Sequence, residues 1–298
     1  MSIPKNNRID HKLSSDHSGQ YVEQVPSALS RYERVSGQMV ILCHGAASHS
    51  GQWRALTKDL SSRYRVIAFD QYGYRNSPAW TAQRPMLIQD QAAPIIELLR
   101  ERLQSEEKSV HLVGHSHGAS IAACIASELS ESIASISMYE PNTFGLLRSR
   151  ANDLSQYENI IGSFGDLQNK MSTFESREMF AKDLMNFWLG DQSWASLDEK
   201  LRLQLISVMK PTAKEVYSAL YSHFDLSPLM PLGDRVQMMY DPYSPAAARL
   251  VTERYITCLK NAKVSTFDHC GHLAPIFHAD RINKVIIQHI SHFSSQSI

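Results

Sequence analysis

The segment Gly114-His115-Ser116-His117-Gly118 sets a hydroxyl between two glycines in a G-x-S-x-G spacing. A serine on so tight a turn, with glycines that let neighbouring backbone approach, is positioned to present its Oγ as a nucleophile. The apolar run SVHLV precedes it and the alanine-rich ASIAACIASEL follows, the strand, turn and helix setting that such a motif needs. A serine hydroxyl is a weak nucleophile until a base removes its proton, so one of the chain's 13 histidines should reach it. His272 is the candidate. It follows the run VSTFD and precedes the last helical pattern, which places it at the carboxyl edge of a sheet, the same edge as Ser116. His269 and His278 are its nearby competitors.

The elements that must hold these residues can be read from the apolar pattern. Six short runs, 38–43, 64–69, 109–113, 134–139, 235–240 and 263–267, have the nearly continuous apolar character of strands buried on both faces. Helical patterns lie between them at 53–60, 85–103, 117–129, 245–259 and 281–290, with a kink or break expected at Pro94. Alternating strands and helices define an α/β fold with right-handed crossovers. One long interruption, 141–232, carries no strand signal. Its segments 178–189 and 201–209 read as amphipathic helices, so it is expected to form a helical cap on a core made of 21–140 and 233–298. Residues 1–20 are polar and aperiodic, and a mobile tail is expected there.

Composition narrows the function classes. The chain has 298 residues, with 30 basic and 30 acidic side chains, so no global field attracts a polyanion and nucleic acid is a poor partner. No signal peptide or run of ~20 apolar residues is present, from which a cytoplasmic protein without a membrane partner is expected. Cys43, Cys124, Cys258 and Cys270 form no C-x-x-C pair, so reduced and mostly buried thiols are expected, and no metal site. Neither a metal nor an organic cofactor is implied. The expected partner is a small-molecule substrate, with a homodimer possible.

Four motifs together resemble the α/β-hydrolase superfamily, in its cap-bearing branch of esterases, haloalkane dehalogenases, epoxide hydrolases and carbon–carbon bond hydrolases. They are His44-Gly45 after QMVILC with Trp53 nine residues beyond His44, the turn from Asp70 to Ser77, the elbow around Ser116, and Gly271-His272. The resemblance spans residues 36 to 293 and implies an α/β-hydrolase fold, a mostly parallel sheet with helices on both faces. The dehalogenase and epoxide-hydrolase branches carry aspartate at the elbow, and serine here turns the expectation away from both.

The resemblance also implies an oxyanion hole from the backbone N–H groups of Ala46 and His117. Losing one such donor costs roughly 3 to 4 kcal/mol of transition-state stabilisation. The His44 side chain is expected to bond within its own turn. The base further needs a carboxylate to orient it. Many relatives carry that acid after the strand matching RVQMMY, in a G-x-x-D pattern, but here Asp241 stands in the glycine slot and Ser244 in the acid slot. Glu140 closes the earlier strand SISMYE, 24 residues after Ser116, where other members place their acid. Glu140 and Asp241 are both candidates, and Glu140 has a structural alternative as an anchor for the cap.

In the D-x-x-G-x-G-x-S turn Arg75 replaces the second glycine. Tyr72, Tyr74 and Trp80 are placed at the pocket mouth, while Phe180, Leu184, Met185, Phe187 and Trp188 are either pocket lining or plain core. The leading expectation is a serine hydrolase of carboxylic esters, thioesters or lactones. A carbon–carbon hydrolase with Arg75, Arg148 or Arg150 holding a substrate carboxylate is the second, and a binding protein that has lost the chemistry is the third.

Overall fold

The structure, a computed structural model, describes residues 14–15, 21–23, 31–34, 37–105, 108–164 and 171–294. Among the described residues nine strands form one sheet: β1 (Ser14–Ser15), β2 (Tyr21–Glu23), β3 (Arg31–Arg34), β4 (Met39–Cys43), β5 (Arg65–Phe69), β6 (Val110–His115), β7 (Ile133–Tyr139), β8 (Val236–Tyr240) and β9 (Lys263–Thr266). Their order is β1-β2-β3-β5-β4-β6-β7-β8-β9. The six from β5 to β9 in that order pair in parallel, and β1 to β3 add an antiparallel edge. The apolar runs thus mark the parallel strands, while the N-terminal strands escape a search for buried runs. Of the expected tail at 1–20, only Ser14–Ser15 is described, and it pairs with β2; the rest of that expectation lies outside the described residues.

Every residue of β4, β6 and β7 is buried, as expected of central parallel strands covered on both faces. Alternation sends Ile41 and Leu112 to one face, under α2 (Ile88–Ser105) and α3 (His117–Glu128). Val40, Leu42 and Val113 go to the other, under α1 (Arg54–Leu60) and the C-terminal helix Ala279–Ser294. Strand β9 departs from the sequence expectation: it is the sheet edge, and Val264 is 45% exposed. Helix α2 runs through Pro94 without the break that was one of the two outcomes expected there, and starts three residues later than its apolar pattern. Proline removes one hydrogen bond of the ladder; the buried stripe of Ile88, Ala92, Ile95, Ile96 and Leu99 holds the helix together across it.

The insertion between β7 and β8 is all helix and turn among its described residues: α4 (Ala151–Phe164), α5 (Phe174–Leu189), α6 (Ser193–Ser196), α7 (Glu199–Ser207) and α8 (Met209–Tyr221). Two of these match the expected segments; α4 and α8 were not legible as separate helices. After β8 come α9 (Ala246–Cys258), α10 (Ala274–Phe277) and α11 (Ala279–Ser294). No helix among the described residues is long and apolar enough to cross a membrane.

Candidate active site

Strand register assembles the site. His115 of β6 pairs with Tyr139 of β7, so Ser116 and Glu140 leave the sheet side by side at its carboxyl edge. The Ser116 N–H donates to the Tyr139 carbonyl at 2.8 Å, and the Glu140 N–H to the Met239 carbonyl at 3.0 Å. Both residues carry left-handed backbone, with φ of 54° at Ser116 and 45° at Glu140. Non-glycine residues rarely adopt it, and such strain is found where structure holds a side chain in a required direction. The elbow glycines allow this closeness: a Cβ on Gly114 would strike the Ala119 backbone, and one on Gly118 the carbonyls of Cys43 and His44.

His272 Nε2 lies 2.9 Å from Ser116 Oγ, and its Nδ1 lies 2.7 Å from Glu140 Oε2. All three side chains are buried. The other Glu140 oxygen accepts from the Asp241 N–H at 2.8 Å and from Ser244 Oγ at 2.7 Å, so every hydrogen bond on the carboxylate orients it toward the histidine. The structure therefore brings Glu140, and not Asp241, to the imidazole. Asp241 turns the other way. Its carboxylate accepts from the Tyr243 N–H at 2.9 Å and from the Gly271 N–H at 2.6 Å, bracing the turn that carries His272.

Two further groups pin that turn. Tyr139 Oη donates to the Gly271 carbonyl at 2.8 Å, and the His115 ring bonds the His272 carbonyl through Nε2 at 2.8 Å. Burial, reinforced by the neighbouring His272, pushes His115 well below the usual histidine range, so it is neutral and donates through Nε2. His269 stacks on Tyr243 and His278 caps α10, and neither reaches Ser116.

His44 bonds within its own turn, Nδ1–H to the Gly45 carbonyl at 2.8 Å, and its Nε2 accepts the Gln71 N–H at 3.1 Å. Burial lowers it to about 4, which keeps this tautomer neutral. Ala46 and Ala47 line the cavity beside Ser116. The His117 N–H is at the first position of α3, where no carbonyl of the helix can accept it. Its ring is buried, lowered by that burial to about 3, and tied to Gln91 Nε2 at 3.0 Å and Asn142 Oδ1 at 3.3 Å.

A further polar link joins this edge to the insertion. Tyr74 Oη accepts the Ala47 N–H at 3.0 Å and donates to Glu215 Oε2 of α8 at 2.6 Å. Burial raises Glu215 to about 8. Tyr74 is thus interior, not at a pocket mouth, while Tyr72 and Trp80 line a separate cavity of about 570 Å³ against α8. Arg75 takes the left-handed backbone, φ 47°, that a glycine would have given the turn.

Ser116 and His272 open into a cavity of about 490 Å³. From the insertion it is lined by Ile160, Phe164, Leu184, Met185, Phe187, Trp188, Leu197, Leu201, Leu205 and Val216 among others, and among the described residues no Asp, Glu, Lys or Arg lines it. Phe180 is core instead. The four cysteines are free; Cys43 and Cys124 are buried, whereas Cys258 and Cys270 are half-buried, against the expectation of mostly buried thiols. Among the described residues no cluster of three or more histidine, cysteine or acidic side chains could hold a metal ion. The sequence offered no signal for His115 and Tyr139 as supports, since each reads as an ordinary core residue, and Tyr74 was expected at a pocket mouth rather than as a support.

A strained serine elbow on a parallel α/β sheet, with a histidine and a carboxylate in line behind it, defines a class of hydrolytic enzymes. A model of the "Alpha/beta hydrolase family" matches residues 40–285, so the chain belongs to that family and is a hydrolase. Solved structures share its fold at low identity. MenH from Staphylococcus aureus (S. aureus) is 16% identical with a TM-score of 0.66, covering 89% of this chain and 98% of its own. A thermophilic esterase from Thermogutta terrifontis is 16% identical with a TM-score of 0.65, covering 97% and 99%. A meta-cleavage product hydrolase from Pseudomonas fluorescens is 17% identical with a TM-score of 0.59, covering 92% and 96%.

Proposed function

We propose that the protein is a serine hydrolase of small carboxylic esters with an apolar acyl group. Ser116 Oγ attacks the ester carbonyl while His272 Nε2 takes its proton. Glu140 holds the histidine tautomer and stabilises the imidazolium, and the Ala46 and His117 N–H groups receive the oxyanion. The imidazolium then protonates the departing alkoxide, leaving an acyl-enzyme. Water, deprotonated by His272, attacks that acyl carbonyl and releases the acid and Ser116. Asp241 is a positioning residue in this scheme, and residues 141–232 act as a cap over the acyl group.

The observation that carries the reading is the Ser116–His272–Glu140 hydrogen-bonded line opening into a cavity whose described lining is mostly apolar and holds no Asp, Glu, Lys or Arg. Such a lining suits a hydrocarbon chain, and among the described residues it gives no lysine or arginine partner to a buried carboxylate. A carbon–carbon hydrolase acting on a ring-cleavage acid needs cationic or polar groups to hold the second carboxylate, and the described lining offers only Ser48, His115 and Asn142 besides Ser116 and His272. Arg75 reaches instead for Ser50 Oγ, Arg148 stacks over Tyr157, and Arg150 precedes α4; none lines the cavity. The thioester and lactone options use the same atoms and stay within the reading.

A series of p-nitrophenyl esters from acetate to laurate, run beside a dienoate ring-cleavage product, tests it. Turnover of the esters, rising with acyl length up to the cavity limit, is expected. Hydrolysis of the dienoate alone would overturn it.

A further inference from the structure

Trp188, at the C-terminal end of α5, lies flat on His272. Their ring centroids are 3.4 Å apart and their planes differ by 10°. Carbon atoms in contact already stand about 3.5 Å apart, so this spacing allows almost no lateral offset. Two neutral aromatic rings avoid that face-to-face sandwich and prefer an offset or an edge contact. A cation above the face of an indole is attracted to it, more strongly where water is excluded. The stack covers the face of the imidazole and leaves both nitrogens, which lie in its plane, to Glu140 and Ser116.

The indole is itself held in place. Phe187 meets it edge-on at 4.9 Å, Phe144 lies 6.2 Å away, and Phe164 backs Phe187 at 5.6 Å. The other groups facing the imidazole are Ser116, Glu140 and the neutral His115 ring at 4.9 Å. Glu140 is thus the one negative charge paired with the ring in its plane, and the π face of Trp188 supplies negative potential from above.

We infer that Trp188 is a positioning residue that stabilises the His272 imidazolium as it forms, making the helical insertion a participant in proton transfer as well as an acyl-group cover. The inference rests on the assignment of Ser116 and His272 above. It predicts that loss of the indole face lowers kcat and spares KM, because the charge exists only after proton transfer has begun. A cation–π contact of this kind corresponds to roughly a three- to thirtyfold rate effect.

The test begins with fluorophosphonate labelling of the wild type beside Ser116→Ala; absence of labelling in the wild type would sink the assignment of the site itself. With labelling established, Trp188→Leu, of similar apolarity but without a π face, is expected to lose kcat in that range, and Trp188→Phe to recover most of it. Biosynthetic replacement of tryptophan by its mono-, di- and trifluorinated analogues then weakens the π face with little change in shape. kcat should fall stepwise with fluorination in the wild type and stay constant in Trp188→Phe, which controls for Trp53, Trp80 and Trp194. A fluorination series with no trend, or a Trp188→Leu defect confined to KM, overturns the inference and leaves Trp188 as lining.

Discussion

The sheet edge and the helical insertion meet at the same cavity and are built on opposite principles. At the edge, polar groups are buried and pinned: Glu140 accepts from Asp241 and Ser244 while bonded to His272, and the His272 turn is tied down by Asp241, Tyr139 and His115. Left-handed backbone at Ala47, Ser116, Glu140 and His269 concentrates there. The insertion contributes almost nothing polar to the cavity. Hydrogen bonds with strict geometry fix where atoms react, whereas apolar packing fixes only how much room remains. The edge should therefore fail all at once when one atom changes, and the insertion should change selectivity by degrees.

The largest break comes at the edge. Ser116→Ala is expected to lower kcat by about 10⁵-fold or more, measured on the best ester of the chain-length series. Next, the two carboxylates separate. Glu140→Gln should cost about 10³- to 10⁴-fold, because the imidazole loses the partner that selects its tautomer. Asp241→Asn, which disturbs a brace and not the ring, should cost roughly tenfold and lower the melting temperature. Equal losses for the two variants would erase the distinction between acid and brace.

The insertion should respond more gently. Leu205→Trp narrows the cavity from α7, and kcat/KM for a twelve-carbon ester is expected to fall roughly 10- to 100-fold while a two-carbon ester is unaffected. The smallest effect concerns pH and stability. Glu215 keeps its proton in the folded protein up to about 8 but loses it near 4.3 when unfolded. Between those values the folded state binds more protons, so its contribution to stability is complete below about 4.3 and is lost as pH rises toward 8. Glu215→Gln should remove that decline, seen as a melting temperature that falls less, by roughly 2 to 4 °C, between pH 5 and pH 8.

The buried histidines act at the other end. His44 and His289 are lowered by burial to about 4, and His111 and His117 to about 3. Each contributes stability that is present above about 6.5 and is lost as pH falls toward those values. Thermal melts from pH 7 to pH 4 should show this acid-side loss in Glu215→Gln as fully as in the wild type.

Much of the edge was legible because its constraints are local. A serine between glycines at a strand end, a glycine before a histidine, and short apolar runs each state their conformation within a few residues. Boundaries went astray where tertiary burial overrides the local signal, as at Pro94 inside α2 and at the solvated strand β9. The insertion was read only as helical, since an aromatic stripe looks the same whether it faces a core or a cavity. Phe180 went one way and Phe187 the other.

The sequence by itself determined the α/β order and pointed to the serine elbow and the histidine as candidates, because strand, turn and glycine preferences are written in neighbouring residues. It left the acid between Glu140 and Asp241, for both close strands on one edge. In the tertiary structure, register places Glu140 and not Asp241 against the imidazole, the arrangement on which the proposed acid rests. Pairing of His115 with Tyr139 puts Glu140 next to Ser116, and the two-residue step from Met239 to Asp241 turns that second carboxylate to the Gly271 N–H. The position of Trp188 over the imidazole was also decided only there, since the two residues are 84 apart in the chain and meet through packing between an inserted helix and a sheet-edge turn.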